Sequence, residues 1–375
     1  MRNKQLLVGI ALLALLVLCA FVGTGSATTI LVPSPGNETI QQAVNNSSSY
    51  DIIIVKDGIY IENIDVTKAN LTIRSENGSA NCVVNASNPG DHVFYVTADS
   101  VNISGFKAQN ATANYKAGIY LTGADYCTIS ENTASNNDCG IYLQSSSNNN
   151  LTGNTANSNI VYGIYLQSSS NNNNLTGNAV SNNWGGITLY QSSNSNTLTG
   201  NTANSNNAYG INLYQSSSNN LTGNTVSNNN YGIWLDASST NDFTCNWVHN
   251  NTGRGFYLTP GSASSANNTI EHNNIMTNGN YNVTSGGYEY DFYNEQANAV
   301  DAKYNYWMAA TNETIDASIY DNEEGEGKGE VTFYPFMSES APCAPIPELP
   351  TILLLSTGLL VLLGYGWVKR EKKEH

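Results

Sequence analysis

From residue 117 to residue 259 the chain alternates short runs, in which every second residue is apolar, with clusters of Ser and Asn. Gly-Ile-Tyr-Leu occurs at 118–121, 140–143 and 163–166. Variants follow at 186–189, 210–213, 232–235 and 255–258, so the spacings are 22, 23, 23, 24, 22 and 23 residues. A second motif, Leu-Thr-Gly-Asn, begins at Leu151, Leu175, Leu198 and Leu221, with degenerate forms from Ile129, Phe243 and Ile270. Two alternating runs per period, each with one buried face, separated by polar clusters, predict short strands in a solenoid. Leucine-rich repeats share this period but require a Leu-x-x-Leu-x-Leu frame and a helical segment, and the chain has neither.

The pattern therefore predicts an all-β, right-handed parallel β-helix with coils of 22–24 residues stacked ~4.8 Å apart. Ile119, Ile141, Ile164, Ile187, Ile211 and Ile233 form one expected inner stack; Leu121, Leu143, Leu166, Leu189, Leu213 and Leu235 form another. Each such side chain contributes ~1.5–3 kcal/mol when covered by its neighbours. Asn132, Asn154, Asn178, Asn201, Asn224 and Asn246 fall at one place in successive coils. Stacked amides can hydrogen-bond along the ladder and tolerate left-handed backbone, so these residues are expected to be structural.

Composition agrees with the pattern. Of 375 residues 58 are Asn, and 35 of these lie between positions 101 and 250, which excludes a long helical architecture. Charged residues are 11% of the chain, well below the roughly 25% of a typical soluble domain. Fourteen basic against 29 acidic side chains argue against a nucleic-acid partner. Residues 28–350 carry 8 basic and 27 acidic groups, a charge of −19.

The two ends read as targeting segments. Residues 1–27 combine a basic start, an apolar run and small residues near Ala27, as a secretory signal does; an uncleaved anchor is the alternative. Residues 351–368 are apolar enough to span a bilayer, and the basic tail 369–375 is expected to stay cytoplasmic. Asn-x-Ser/Thr sequons such as Asn37, Asn102, Asn150, Asn174, Asn220 and Asn312 suit glycosylation of an exported chain. The stretch Pro347-Glu348-Leu349-Pro350-Thr351 resembles the PEF-CTERM signals of archaeal surface proteins, with Leu349 where that family usually has Phe. The resemblance implies an archaeosortase as processing partner and a cell-surface location, anchored to the cytoplasmic membrane by the C-terminus.

The repeat itself resembles the NosD-like, or CASH-type, right-handed parallel β-helix family, which includes carbohydrate-binding proteins and sugar hydrolases. Thr39 to Val44 reads as a short helix capping the N-terminal end. Val300 to Trp307 resembles the closing Asn-x-Trp-Gly segment of many relatives, with Met308 in place of the Gly. The expected organisation is a cap and first coils over 28–100, regular coils over 101–300, a closing segment over 301–340 and a Pro-rich stalk over 341–350. Within the closing segment, Glu323 to Glu330 is expected as a loop before a last strand, Val331 to Phe336.

Candidate chemistry is sparse. Polysaccharide hydrolysis or lysis needs paired acids and bases or cation clamps. The one cluster of suitable types is Asp236, Asp242, His249, Arg254, Glu271 and His272, spread over late coils and more simply read as a solvated polar face. The NosD name implies copper-site maturation, but the four methionines, Met1, Met276, Met308 and Met337, form no soft-ligand run, so no metal site and no cofactor is expected. Calcium in the acidic segment from Asp321 has no loop frame to support it. Five cysteines follow the signal; packed thiols are expected for most, with a Cys127–Cys139 bridge as the sharper expectation.

The aromatic row is the most informative surface feature. Where Ile and Leu point inward, the residue between them points out. Tyr120, Tyr142, Tyr165, Tyr190, Tyr214, Trp234 and Tyr257 would then form an exposed strip ~29 Å long, one per coil. Such rings suit stacking on sugars or partner surfaces, and they also stabilise strand pairing. The sequence thus favours a non-enzymatic surface β-helix that is structural, adhesive or glycan-binding, with glycans or surface-layer components as partners. A carbohydrate-active enzyme on the same face and a copper-assembly accessory factor are the alternatives.

Overall fold

The computed structural model describes residues 27–345 other than 262, 284–286 and 310. The terminal signal and membrane-span assignments lie outside the described residues. Within them, the chain winds as a parallel β-helix with three strands per coil, for example Cys139–Gln144, Asn150–Thr152 and Thr155–Asn157. The third strand is one more than the alternation predicts. Leu-Thr-Gly-Asn does not lie in one strand: Gly153, at φ +64°, turns a corner between two three-residue strands. Each third strand turns only one side chain inward (Ala134, Ala156, Val180, Ala203, Val226, Val248), too short a run to show alternation.

Two sheets have eleven strands and one has ten, all paired in parallel. The first runs from Thr29–Val32 to Thr269–Glu271 and carries the Asn-Leu-Thr segments. The second runs from Ile64–Val66 to Ile319–Tyr320 and carries Gly-Ile-x-Leu. The third runs from Gly58–Ile61 to Asn274–Met276. Registers place Ile119, Ile141, Ile164, Ile187, Ile211 and Ile233 in one stack, with the six leucines two residues on in the next. All twelve are fully buried in one continuous core.

The asparagine ladder forms as expected: Nδ2 of Asn154, Asn178, Asn201 and Asn224 each donates to Oδ1 of the next rung at 2.9–3.0 Å. It continues through Asn246 and Asn273 to Asn305. Two further asparagine ladders and one of serine occupy other corners. One climbs Asn137, Asn159, Asn183, Asn206, Asn229, Asn251 and Asn278; another climbs Asn149, Asn173, Asn196, Asn219, Asn241 and Asn268. In the serine column Ser216 N donates to Ser238 Oγ and Ser238 N to Ser265 Oγ. These amides satisfy corner N–H and C=O groups that the sheets cannot reach.

The Gly of Gly-Ile-x-Leu is explained by how closely the next coil's backbone and the ladder that climbs from Asn137 approach it. A Cβ on Gly186 would lie 2.2 Å from Gly210 O and 3.0 Å from Asn206 Nδ2. Near the N-terminus, Ile40–Asn46 is helical, with a Thr39/Gln42 capping box, and buries Ile40, Ala43 and Val44. At the C-terminal end Val300–Asp301 pairs with Val331–Thr332, and the predicted last strand, Val331 to Phe336, is shortened to those two residues.

Packed thiols do account for most of the cysteines, Cys82, Cys127 and Cys139 being free and buried, but the expected Cys127–Cys139 bridge is corrected. Cys127 faces the inner core, whereas Cys139 lies outside it among Ala117, Tyr142 and Tyr165, so the two cannot meet. The bond present joins Cys245 to Cys343 and ties the C-terminal arm to a late coil. Cys245 takes the Gly place of Leu-Thr-Gly-Asn and its left-handed backbone, φ +58°. A bond between residues 98 apart leaves no spacing signal.

Candidate functional site

The side chains between Ile and Leu do point away from the bore, and register makes them a column: Tyr95, Tyr120, Tyr142, Tyr165, Thr188, Asn212, Trp234, Tyr257, Tyr293 and Tyr320. Tyr190 and Tyr214 stand in the neighbouring column, opposite Gln167 and Asp236. Sequence reasoning thus identified seven aromatics correctly as outward but missed Tyr95, Tyr293 and Tyr320, because only partial repeats surround them. It also missed Tyr162, Tyr209 and Tyr231, which precede the repeat Gly and turn onto the same face.

Outward is not exposed. Tyr142 retains 5% and Tyr165 3% of its surface, while Tyr120, Tyr190, Tyr214, Trp234 and Tyr257 are half-buried. Ring centroids along Tyr120, Tyr142 and Tyr165 are 4.8 and 4.9 Å apart, and Tyr162 covers Tyr165 at 4.4 Å. Each ring therefore spends its faces on its neighbours. Burial pushes the Tyr142 and Tyr165 phenols well above the usual tyrosine range, so both stay neutral. Their tips are polar: the hydroxyls of Tyr120 and Tyr142 donate to Gln144 and Gln167 Oε1. What remains to meet a ligand is a band of ring edges, hydroxyls and amides, with Tyr190 and Tyr214 half-buried beside it and Trp184, against Tyr162 and Tyr209, 45% exposed.

At the late end Arg254 lies over Tyr257 and Tyr293, 4.0 and 3.8 Å from their centroids, and Tyr257 donates to Glu295. At the early end an open groove of about 410 Å³ is lined by His92, Tyr115, Lys116, Tyr120, Gln144 and neighbours. Another cavity, of about 430 Å³, lies in the closing region beside Tyr281, Tyr288, Asp291 and Trp307.

The acid–base cluster does not assemble. Asp236 and Arg254 are on the second sheet, Asp242 and Glu271 on the first, and His249 on the third. Its only ion pair among the described residues joins sequence neighbours, Glu271 and His272, at 3.8 Å. Desolvation raises the Asp236 carboxyl and lowers His249, but three faces of a solenoid cannot serve one bond. The six residues are close in sequence, but successive strands of a coil turn to different sides.

Nor do the donors fit a copper centre. Among the described residues no three His, Cys, Asp or Glu side chains come together. Cys82 and Cys127 are buried, their thiols pushed up to about 12 and about 11, so neither offers a thiolate. His249 and Met276 are register neighbours, a pair without a third soft ligand.

Comparison with solved structures finds the same fold. The catalytic domain of a GH87 α-1,3-glucanase matches with 14% identity over 83% of this chain and 69% of its own, TM-score 0.52. The Dettilon tailspike protein matches at 14%, over 78% and 63%, TM-score 0.50. The A-module of the Azotobacter vinelandii mannuronan C-5 epimerase AlgE6 matches at 12%, over 82% and 94%, TM-score 0.48. At these identities the first two matches show a likeness of fold alone. No curated protein matches the chain in sequence. The family model described as periplasmic copper-binding protein (NosD) matches residues 44–202 and 162–312, which between them span most of the repeat. With that match and the three-sided parallel coil, the chain belongs to the NosD family.

Proposed function

We propose that this protein is an exported β-helix, held at the cell surface by residues 351–368, that binds glycan along the outer face of its Gly-Ile-x-Leu sheet. The observation that carries the reading is the aromatic column of ten successive register positions, eight of them Tyr or Trp, edged by Gln144, Gln167, Tyr190 and Tyr214. Ring edges and faces beside hydroxyls and amides match the alternating apolar and polar faces of a sugar. A rigid array with a ~4.8 Å repeat suits an extended polymer laid along it. The fold is shared with carbohydrate-active enzymes and tailspikes, but the acid–base residues here face three ways, so binding is favoured over turnover.

Solubilised full-length protein on a glycan array tests this directly. Retention of polysaccharides that is lost in a Tyr190→Ser/Tyr214→Ser variant that stays folded, with only a slightly lowered melt, is expected; an array with no specific signal would refute it. Attachment is tested by deleting residues 347–375, which should release the protein into the medium. The short helix at Ile40–Asn46 would, in this reading, cover the N-terminal end of the bore and keep the stack from adding further strands.

A further inference from the structure

The groove at the early end of the strip holds two hydrogen-bond donors that face each other. His92 is 6% exposed and its ring lies flat on Tyr120, with centroids 4.1 Å apart. The backbone N–H of Ala117 donates to His92 Nδ1 at 3.1 Å. A nitrogen that accepts carries no proton, so the neutral ring must carry its proton on Nε2. Lys116 Nζ lies 3.4 Å from that Nε2. An ammonium and an N–H cannot bond to each other, since neither offers a lone pair. Adding a proton at Nδ1 is no remedy, because it would break the Ala117 bond. Burial first, and Lys116 second, hold the imidazole down at about 4, so the ring is neutral at ordinary pH.

The nearest acid does not complete the pair. Asp91 Oδ1 stands 3.9 Å from Lys116 Nζ and already accepts the His92 backbone N–H at 2.8 Å. Asp138 Oδ2 accepts from Tyr115 N at 2.7 Å and so fixes the loop that carries Tyr115 and Lys116. Tyr115 leaves 55% of its surface exposed at the groove, beside Lys116 and the Tyr120 edge. One anionic oxygen between Nζ and Nε2–H would satisfy both donors, and a ring attached to it would lie against Tyr115.

We propose that this groove binds an anionic sugar, its carboxylate or sulfate ester oxygen seated between Lys116 Nζ and His92 Nε2–H and its pyranose ring against Tyr115. This rests on the glycan-binding reading and names the sugar class at one end of the strip. The ectodomain charge of −19 gives no long-range attraction to a polyanion. Selectivity must come from the two convergent donors, which a neutral sugar satisfies less well than an anion does.

The test measures binding of an oligogalacturonate, the neutral galactose oligomer of equal length and a sulfated disaccharide to solubilised full-length protein by calorimetry. The uronate or the sulfate ester should bind about tenfold or more tightly than the neutral oligomer, and which of the two does so identifies the anion's source. Lys116→Gln should erase that preference, weakening the anionic ligand to the level of the neutral oligomer, while the melt is unchanged; Lys56→Gln, at an exposed lysine far along the first coil, should change nothing. Equal affinity for charged and neutral oligomers, or a preference that survives Lys116→Gln, overturns the proposal while the wider strip reading stands. A Lys116-dependent preference indifferent to Tyr190→Ser/Tyr214→Ser upholds the groove and removes the strip. No binding of any of the three overturns both.

Discussion

Between Ile119 and Leu258 the molecule repeats one solution; after Leu258 it has to stop repeating. In the regular coils the N–H of each ladder residue finds a side-chain amide or hydroxyl one coil away, because the same residue recurs there. In the closing region the recurrences run out, and two of the four columns finish on unlike groups. Asn305 ends one ladder, Gln296 Oε1 accepts from Ser265 at the end of the serine column, and Asp291 ends the ladder that leaves Asn278. A solenoid middle is thus specified by identity between neighbours, and its end by single residues with no counterpart elsewhere.

The comparison breaks most sharply at glycine. Gly186→Ala should cost about 3–5 kcal/mol, since the new methyl meets a backbone oxygen at 2.2 Å that can move only if a coil moves. Gly287→Ala, in the closing region with nothing within 4 Å, should fall within about 0.5 kcal/mol of the parent. Denaturant midpoints of the two variants measure the difference. Comparable losses would mean the regular coils are no tighter than their end.

Next comes the ladder itself. Asn201→Ala removes the acceptor of Asn178 N and Nδ2 and the donor to Leu175 O and Asn224. Several groups are left buried without partners, and a loss of about 3 kcal/mol is expected by chemical denaturation. Asn268→Ala, at the last rung of its ladder and half-buried, should lose about half as much or less.

At the end of the second ladder the sign reverses. Asp291 takes the place of the repeat Gly, and its Oδ1 accepts from Asn278 N and Nδ2 where the next asparagine's oxygen would be. Burial raises its carboxyl to about 7, against the two hydrogen bonds that lower it. The unfolded chain ionises near 4 and the folded one near 7, so stability is lost as pH rises through that window and the loss is complete above it. Asp291→Asn keeps the acceptor and removes the charge. It should gain about 1–3 kcal/mol above pH 7 and little near pH 4, read from melting temperature against pH. A pH-independent gain would mean that the carboxyl is not the cause.

These cases show how much was legible. The coil, its inner Ile and Leu stacks and the Asn132 ladder could be read because one-residue recurrence at 22–24 positions implies register directly. The ladders through Asn137 and Asn149 lie within Asn- and Ser-rich clusters, where composition hides the period. Groups brought together from different turns of the coil left no linear mark: Cys245 with Cys343, and Lys116 with His92. The same winding that joined these separated the six acid–base candidates, which were close in sequence and faced different ways. Exposure along the aromatic row was also misjudged, since parity fixes direction but not what covers a ring.

That error gives the finest test of the comparison, within the strip itself. Tyr165 keeps 3% of its surface and lies between Tyr142 and Tyr162, whereas Tyr214 stands half-buried with Tyr190 stacked at 4.6 Å on one side. Tyr165→Ser opens a ring-sized gap in a packed row and should lower stability by about 2–3 kcal/mol. Tyr214→Ser should lower it by under about 1 kcal/mol, because one stacked partner is lost and solvent replaces the rest. On glycan the order inverts. A ring with an accessible face contributes about 0.5–1.5 kcal/mol of stacking, so Tyr214→Ser should weaken polysaccharide binding about three- to tenfold. Tyr165→Ser at a temperature where it stays folded should leave binding nearly intact. Measuring melt and affinity on both variants separates support from recognition. Equal loss of affinity in the two would place the ligand on a deeper surface than Tyr214 offers, and unchanged affinity in both would take the strip's middle out of the binding face.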